Sequence, residues 1–579
     1  MKSSRQSKNP FAGLSLATAL REKLKEGYTT ADFKADLLAG VIVGMVAIPL
    51  GMALAIATGV LPQYGLYTVI FAGIVALLGG SRFNVTGPTA AFVVILAPIV
   101  SQHGLSGLLT ASCIAGVLLL ALGVTRLGQV ISFIPYPVTT GFTSGIAVVI
   151  AVFQIKDFFG LKIEHKTEGF FEHIHALVQY ASTISFGEFG IASLTLLLLV
   201  LWPKINKRIP SPFVVLGFMT IFVSFLNKLF PFLTLATIRD RFSYMLDGKI
   251  IAGIPSALPK WDWPWNPGGT AFSLGFTNIE PLIMAGVAIA LLGAIESLLC
   301  AVVADGITHT DHDPNAELVA LGIANIIGPF FGAIPATGAI VRTATSIRFG
   351  ARSPLAAIFH SLFVLCIVVF FADYVSYMPM ASLAALLVYV AYGMFDAKHF
   401  FHCLRVSPRS DKIVLLTCFA LTVSFDMVIG VTVGVVLASL LFIQRMSGIT
   451  TGIQWTGTHH KLLEAIPDGI MVYEIAGPLF FGAAERAIEG STENKEIKVV
   501  IFNLESVPTM DLSGLVALES SILELRSRDV SVHFAGVNPQ PLQLLQKSEL
   551  LKKNPQIRLE QSLHKALAFA KTDLLKTLI

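Results

Sequence analysis

Charge is scarce in this chain. Asp, Glu, Lys and Arg make up 13% of its 579 residues, against 54% hydrophobic ones. A soluble globule carries about a quarter charged residues, so most of this chain is not one. Five cysteines (Cys113, Cys300, Cys366, Cys403 and Cys418) lie in or beside apolar runs without metal-like spacing. They exclude a disulfide framework and read as small packing residues. No signal peptide is visible ahead of the first apolar run. Gly-rich phosphate loops, paired catalytic carboxylates and a Ser/His/Asp arrangement are all missing, so neither a catalytic residue nor an enzyme is expected. His309, Asp311, His312 and Asp313 resemble a metal cluster, but they share one short hydrophilic loop and read as solvated, leaving no metal site. The net charge of +4 needs no nucleic-acid partner, because it matches the usual excess of cytoplasmic Lys and Arg in membrane proteins.

What the chain has instead is apolar length. Runs such as Leu37 to Ala57, Leu108 to Leu122 and Pro281 to Ala304 approach or exceed what is needed to cross a hydrocarbon core of about 30 Å. Mean hydropathy is +0.73. About fourteen such segments lie between Leu37 and Ile443, several shorter than a full span, as buried or half-membrane helices would be. Residues 1–34 are polar and basic and form a cytosolic segment. An even number of spans then returns the C-terminus to the cytoplasm, so both ends are expected inside. Residues 35–446 form the transmembrane domain. Strand-like and helix-like patterns alternate over 455–579, predicting a cytosolic α/β domain. The Pro-, Gly- and Trp-rich stretch Gly248 to Gly269 connects the hydrophobic halves on the outer face.

The two halves share a register. An offset of 247 carries Pro88 onto Pro335, Ala47-Ile48 onto Ala294-Ile295 and Gly59 onto Gly306. Paired interruptions of apolar segments point to the substrate site of a secondary transporter, since broken helices expose backbone groups at mid-membrane. Helices beginning at Thr89 and near Thr337 would aim free N–H groups and partial positive charge at an anion. The small residues Ala90, Ala91, Gly338 and Ala339 would let it reach the backbone, and the Thr89 and Thr337 hydroxyls would add hydrogen bonds. Simple interhelix turns are the bland alternative. Arg342 stands in an apolar stretch where an unpaired charge costs roughly 3 kcal/mol, so it faces the site or a water path, or else snorkels to the interface. Glu296 is the one carboxylate in the middle of a long apolar span; it aligns with Pro49 in this register. It either carries a coupling proton or is a structural carboxylate held by backbone or Ser297. Lys156-Asp157 reads as an interfacial pair.

Five motifs together resemble the SulP anion transporters: Asp36-Leu37-Leu38-Ala39-Gly40 with Ala47-Ile48-Pro49; Tyr64-Gly65-Leu66-Tyr67; Gly87-Pro88-Thr89; Pro335-Ala336-Thr337-Gly338-Ala339 with Arg342-Thr343-Ala344; and Val507 to Gly514, which looks like the signature of a STAS domain. The resemblance implies fourteen spans as two inverted seven-span repeats, over about 35–230 and 280–446, split into a core that holds substrate and a gate it moves against. It places the anion at Thr89, Ala90, Thr337, Gly338 and Ala339, with Arg342 nearby. It also implies a homodimer. Gly79 to Phe83 running into Thr89 to Val94, Gln154 to Phe158, and Gly293 to Cys300 are similar to the bacterial C4-dicarboxylic acid transporters of this family. That suggests proton-coupled uptake of succinate, fumarate or aspartate without any cofactor. Many members carry a polar or acidic residue after the first-span proline, where this chain has Leu50; coupling then rests on Glu296, with proton against sodium open. A sulfate or bicarbonate carrier and a membrane anion sensor signalling through the STAS domain are the rival readings. Ser513 is a candidate phosphorylation site that could alter docking to a cytosolic protein, while Asp511 beside it could simply cap the helix.

Overall fold

The computed structural model describes residues 16–131, 135–163, 170–206, 209–230, 235–246, 249–267, 276–425, 427–455, 465–481, 483–491, 496–548, 550–555 and 557–578. Gly248, Gly269 and the first part of the basic N-terminal segment lie outside them. The chain divides into two compact units, Met1–Val435 and Val436–Ile579.

Among the described residues of the whole chain, ten helical stretches are long and apolar enough to cross a membrane. Shorter pieces complete the two halves. The first half runs Thr30–Thr58, Pro62–Phe71 with Gly73–Leu78, Ala90–Val124, Tyr136–Phe158, Phe186–Ile205 and Ser211–Leu229. Gly104, at φ 67°, divides the third of these into 90–103 and 105–124, making seven apolar segments. The second half gives seven more: Phe276–Thr308, Pro314–Ile327, Ile340–Arg348, Leu355–Val375, Met380–Phe395, Arg409–Ser424 and Met427–Ile449. The expected fourteen is therefore reached only by counting broken and half-length helices.

The helices pack as two groups. Thr30–Thr58, Pro62–Leu78, Ala90–Val124, Phe276–Thr308, Pro314–Ile327, Ile340–Arg348 and Leu355–Val375 form the core. Tyr136–Phe158, Phe186–Ile205, Met380–Phe395 and Arg409–Ser424 lead the gate. Between apolar helices that lack a hydrophobic driving force, close backbone approach supplies the attraction, and small residues permit it. A Cβ on Gly65 would lie 2.0 Å from the Gly51 carbonyl oxygen, and one on Gly322 would lie 2.7 Å from that of Gly116. In the gate, a Cβ on Gly141 would stand 2.6 Å from the Leu415 oxygen. Asp36, fully buried, ties the first helix to the start of Leu355–Val375 by accepting from the Arg352 N–H at 2.6 Å and the Ser353 N–H at 3.1 Å.

Among the described residues of this unit there are four short strands: β1 (Thr86–Gly87), β2 (Ser243–Leu246), β3 (Lys249–Ala252) and β4 (Thr337–Gly338). β2 and β3 make a hairpin in the connection between the halves. β1 and β4 pair antiparallel, Thr86 opposite Gly338 and Gly87 opposite Thr337. An antiparallel pair is its own two-fold, as an inverted repeat requires.

The second unit is a five-stranded sheet in the order β5 (Thr451–Trp455), β6 (Ile470–Ala476), β7 (Val499–Asn503), β8 (Ser531–Ala535) and β9 (Arg558–Glu560). β5 joins antiparallel and the rest run parallel. Parallel strands need crossovers. Leu512–Ser527 and Pro539–Lys547 pack on one face, and Leu563–Leu578 covers the other through Ala566, Leu567 and Ala570. Covered on both sides, the middle strands read as unbroken apolar runs, such as Val499 to Phe502.

Candidate functional site

The site is built where both halves break. Irregular backbone at membrane depth survives only if protein satisfies its polar groups. Here each half supplies partners for the other. The Val85 N–H donates to Thr343 Oγ1 at 2.8 Å, and the Val85 oxygen accepts from the Ala339 N–H at 2.9 Å. The Pro88 oxygen accepts from Arg342 Nη2. On the other side of the two-fold, the Ile334 oxygen accepts from Thr68 Oγ1 at 3.1 Å, and Asn325 grips the Ala336 peptide, accepting from its N–H at 2.8 Å and donating to its oxygen at 3.0 Å.

Two helices start from this crossing. One begins at Ala90 with Thr89 as N-cap, the other at Ile340 with Ala339 as N-cap, and neither cap residue makes a side-chain capping bond. The first-turn N–H groups of both are therefore left to a ligand or water. Ala90 and Ala91 are buried behind the first end, with Ala339 beside the second. The second helix begins three residues later than the sequence suggests. Thr337 lies in β4, and its hydroxyl donates to the Gly293 oxygen at 2.8 Å, so it is committed to the Phe276–Thr308 helix. Gly338 also packs on that helix: a Cβ there would meet Ser297 Cα at 2.9 Å and Cys300 Cβ at 3.0 Å. It is a close-contact residue and not the floor of an open cavity.

The repeat register shifts accordingly. A shift of 250, not 247, carries the helix ending at Thr58 onto that ending at Thr308, and the start at Ala90 onto that at Ile340. Pro88 follows its strand while Pro335 precedes its own, so the prolines are not structural equivalents. In the corrected register Glu296 falls opposite Val46.

Glu296 and Thr89 meet: the Thr89 hydroxyl donates to Glu296 Oε2 at 2.9 Å. Both are half-buried, so a carboxylate sits beside the N-terminus of the Ala90 helix with some access to solvent. Arg342 is 2% exposed and does not snorkel; its guanidinium fills the space beside Gly87, where a Cβ would lie 2.3 Å from Nη1. A fixed cation thus stands between the two helix starts.

Two further residues, Asn84 and Glu317, complete the site without having been singled out, together with Thr343, which was named only within a motif. Asn84 donates to Glu317 Oε1 at 2.6 Å and to Ser297 Oγ at 3.2 Å, and accepts from Thr343 Oγ1 at 3.4 Å. Glu317 is a second intramembrane carboxylate, 1% exposed; in sequence it passes for an ordinary first-turn acid after the Asp313 cap. Asn and Thr in apolar runs carry no signal of their own.

Elsewhere, Lys156 and Asp157 have other partners than each other: Lys156 Nζ donates to the Ile163 oxygen at 3.2 Å and Asp157 pairs with Arg241 at 2.6 Å. His312 pairs with Asp305 at 2.6 Å, and Asp313 caps the Pro314 helix. In the second unit Asp511 caps Leu512–Ser527 through the Gly514 N–H at 2.8 Å, and Ser513 is exposed beside it.

The sulfate permease family profile matches residues 33–417, and that of the STAS domain matches 464–566. The chain is 40% identical over 531 residues to a putative sulfate transporter of Bacillus subtilis, covering 91% of this chain and 96% of that one. It is 26% identical to a bicarbonate transporter of Picosynechococcus, over 90% of this chain and 92% of the relative. The fold matches the murine solute carrier 26 member A9 anion transporter in its inward-facing state at a TM-score of 0.83, with 19% identity, over 99% of this chain and 96% of that one. With two inverted broken-helix halves and a C-terminal STAS domain, the chain belongs to the sulfate permease family of anion transporters.

Proposed function

We propose that the protein takes up a small anion together with a proton, C4-dicarboxylates such as succinate, fumarate and aspartate being the first cargo to test. The observation that carries the coupling is the Thr89 to Glu296 hydrogen bond at the start of the Ala90 helix. An ionised Glu296 repels an anion approaching the two helix N-termini and occupies the Thr89 hydroxyl. A proton on Glu296 removes the repulsion and leaves the hydroxyl able to donate to the cargo. Anion and proton then enter together, and each favours the binding of the other. Arg342, Ala90, Ala91, Thr337, Gly338 and Ala339 shape the surroundings. Sodium near Glu296 would relieve the same repulsion. The unit moves anions by rocking the core against the gate, as a homodimer in a bacterial inner membrane with both termini cytoplasmic and the STAS domain free to bind a cytosolic protein.

A second reading, sulfate or bicarbonate as cargo, is favoured by the names of the Bacillus and cyanobacterial relatives. Uptake of labelled succinate into proteoliposomes, with and without an inward proton gradient and with unlabelled fumarate, sulfate and bicarbonate as competitors, decides between them. Gradient-stimulated uptake blocked by fumarate alone supports the dicarboxylate symporter, and Glu296→Gln should then abolish the pH dependence. Sulfate or bicarbonate flux without succinate flux keeps the site and replaces the cargo. Saturable binding without flux of any of them would instead support a sensor.

A further inference from the structure

We propose that Glu317 is a positioning residue for anion binding: its carboxylate fixes the orientation of the Asn84 amide, and that amide sets the hydrogen bonds holding both half-helix starts. The inference rests on the reading that the anion lies between those starts. Glu317 stands in the first turn of Pro314–Ile327, 1% exposed. Its Oε2 accepts from the Gly80 N–H at 3.0 Å and the Ser81 N–H at 3.1 Å, and its Oε1 accepts from Asn84 Nδ2 at 2.6 Å. A Cβ on Gly79 would lie 2.6 Å from Oε2, so the backbone before β1 wraps the carboxylate closely. Every one of these partners is a donor. Glu317 therefore acts as an acceptor at both oxygens, unlike Glu296, which has one donor and partial access to solvent.

Because Asn84 Nδ2 points at Glu317 and at Ser297 Oγ, its Oδ1 is turned to the Thr343 hydroxyl. That leaves the Thr343 oxygen to accept from the Val85 N–H at 2.8 Å and from Cys300 Sγ at 3.1 Å. Val85 leads into β1 and the Ala90 helix, and its oxygen holds the N–H of Ala339, the N-cap of the Ile340 helix. One carboxylate thus fixes, through one amide and one hydroxyl, the residue Val85, whose N–H and oxygen bear on both helix starts. Fully satisfied buried networks specify a single arrangement, and a half-satisfied one does not.

Glu317→Gln breaks this chain by polarity alone. Its new NH₂ faces either the Gly80 and Ser81 N–H groups or Asn84 Nδ2, and donor meets donor. If Asn84 turns over to relieve the clash, the Thr343 hydroxyl meets the donors of Val85 and Asn84 and exchanges the Asn84 oxygen for only the weakly accepting Cys300 sulfur. Adding Asn84→Asp restores the logic with the carboxylate moved. The introduced aspartate accepts from the NH₂ of the introduced glutamine and from the Thr343 hydroxyl, while the glutamine's oxygen accepts from the Gly80 and Ser81 N–H groups.

The test is uptake kinetics of the full-length protein in proteoliposomes, with labelled succinate, or labelled sulfate where competition selects it, and unfolding temperature in detergent measured in parallel. Glu317→Gln should raise KM about tenfold, and the double variant should return it close to wild type. A purely structural role would lower the unfolding temperature and the maximal rate without moving KM. Wild-type KM in Glu317→Gln, or a double variant no better than the single one, would overturn the inference; if the single variant does not insert, the double must recover both insertion and KM for it to stand. Thr89→Val serves as the control for the site. Unchanged KM there alongside raised KM in Glu317→Gln would move the anion away from the helix starts and keep the dependence on Glu317.

Discussion

Adding one methyl group at Gly87 should weaken anion binding through Arg342. The methyl of Gly87→Ala would lie 2.3 Å from Arg342 Nη1, 3.0 Å from Cζ and 3.1 Å from Nη2. The end of an arginine can move, but this guanidinium is buried and already gives Nη2 to the Pro88 oxygen. Swinging aside forfeits that bond, and a buried hydrogen bond from a charged group contributes about 1.5–3 kcal/mol. The backbone at Gly87, at φ 157°, is one that an L side chain rarely adopts, so Gly87→Ala adds backbone strain to the contact with Arg342, and the unfolding temperature reports that part. If the whole loss is felt at the site, KM rises about ten- to hundredfold. Proteoliposome uptake measures it, with unfolding temperature as the control for folding. Gly293→Ala is the matched comparison: it lies on the neighbouring helix, and its methyl would meet Phe92 Cζ at an ordinary 3.5 Å. It should transport with wild-type KM. The reasoning fails if Gly87→Ala also keeps wild-type KM, or if Gly293→Ala loses as much.

Gly65→Ala should destabilise the core without any change in chemistry, because its Cβ would stand 2.0 Å from the Gly51 oxygen and backbone would have to yield to backbone; overpacking of this kind costs about 1–3 kcal/mol, and an unfolding temperature equal to wild type would contradict it. In the second unit His533 is buried on β8, and burial holds its pKa below the ordinary histidine range, opposed by Asp573 Oδ2 at 3.2 Å. The unfolded chain then takes up the proton more readily than the folded sheet, so this contribution to stability is complete above a pH of about 6.5 and is lost as pH falls through the folded value. Amide protection factors along Ser531–Ala535 in the full-length protein, with the intrinsic slowing of exchange in acid divided out, should fall between pH 7 and pH 5, and His533→Gln should flatten the change; protection that rises on acidification would refute the assignment.

Apolar length, the two interruptions and the tail's alternation were readable because each is a pattern over many residues. Register was not. Proline marks where a helix hydrogen bond is lost, and here one proline follows its strand while the other precedes it, so matching Pro88 to Pro335 displaces the repeat by three residues. The strands themselves are two residues long, too short to show a period. Arg342 was legible as a charge in an apolar run, but its partner is a backbone carbonyl 254 positions away, which no side-chain pattern announces. Asn84, Thr343, Glu317 and Asn325 stayed hidden for a related reason: except for Asn325, whose peptide partner is 11 residues on, their partners lie mostly in the opposite half.

That same crossing of partners constrains how the core moves. Val85 is held by Thr343 and Ala339, Pro88 by Arg342, Thr89 by Glu296, and Ile334 by Thr68. Moving one half-helix alone would strand several buried donors and acceptors, each costing about 1–3 kcal/mol. Moving the two together with the helices that carry Thr68 and Glu296 strands none. The two helix starts, the strand pair and the residues that hold them therefore form one body, and the proposed anion position between the starts would move with it without being taken apart.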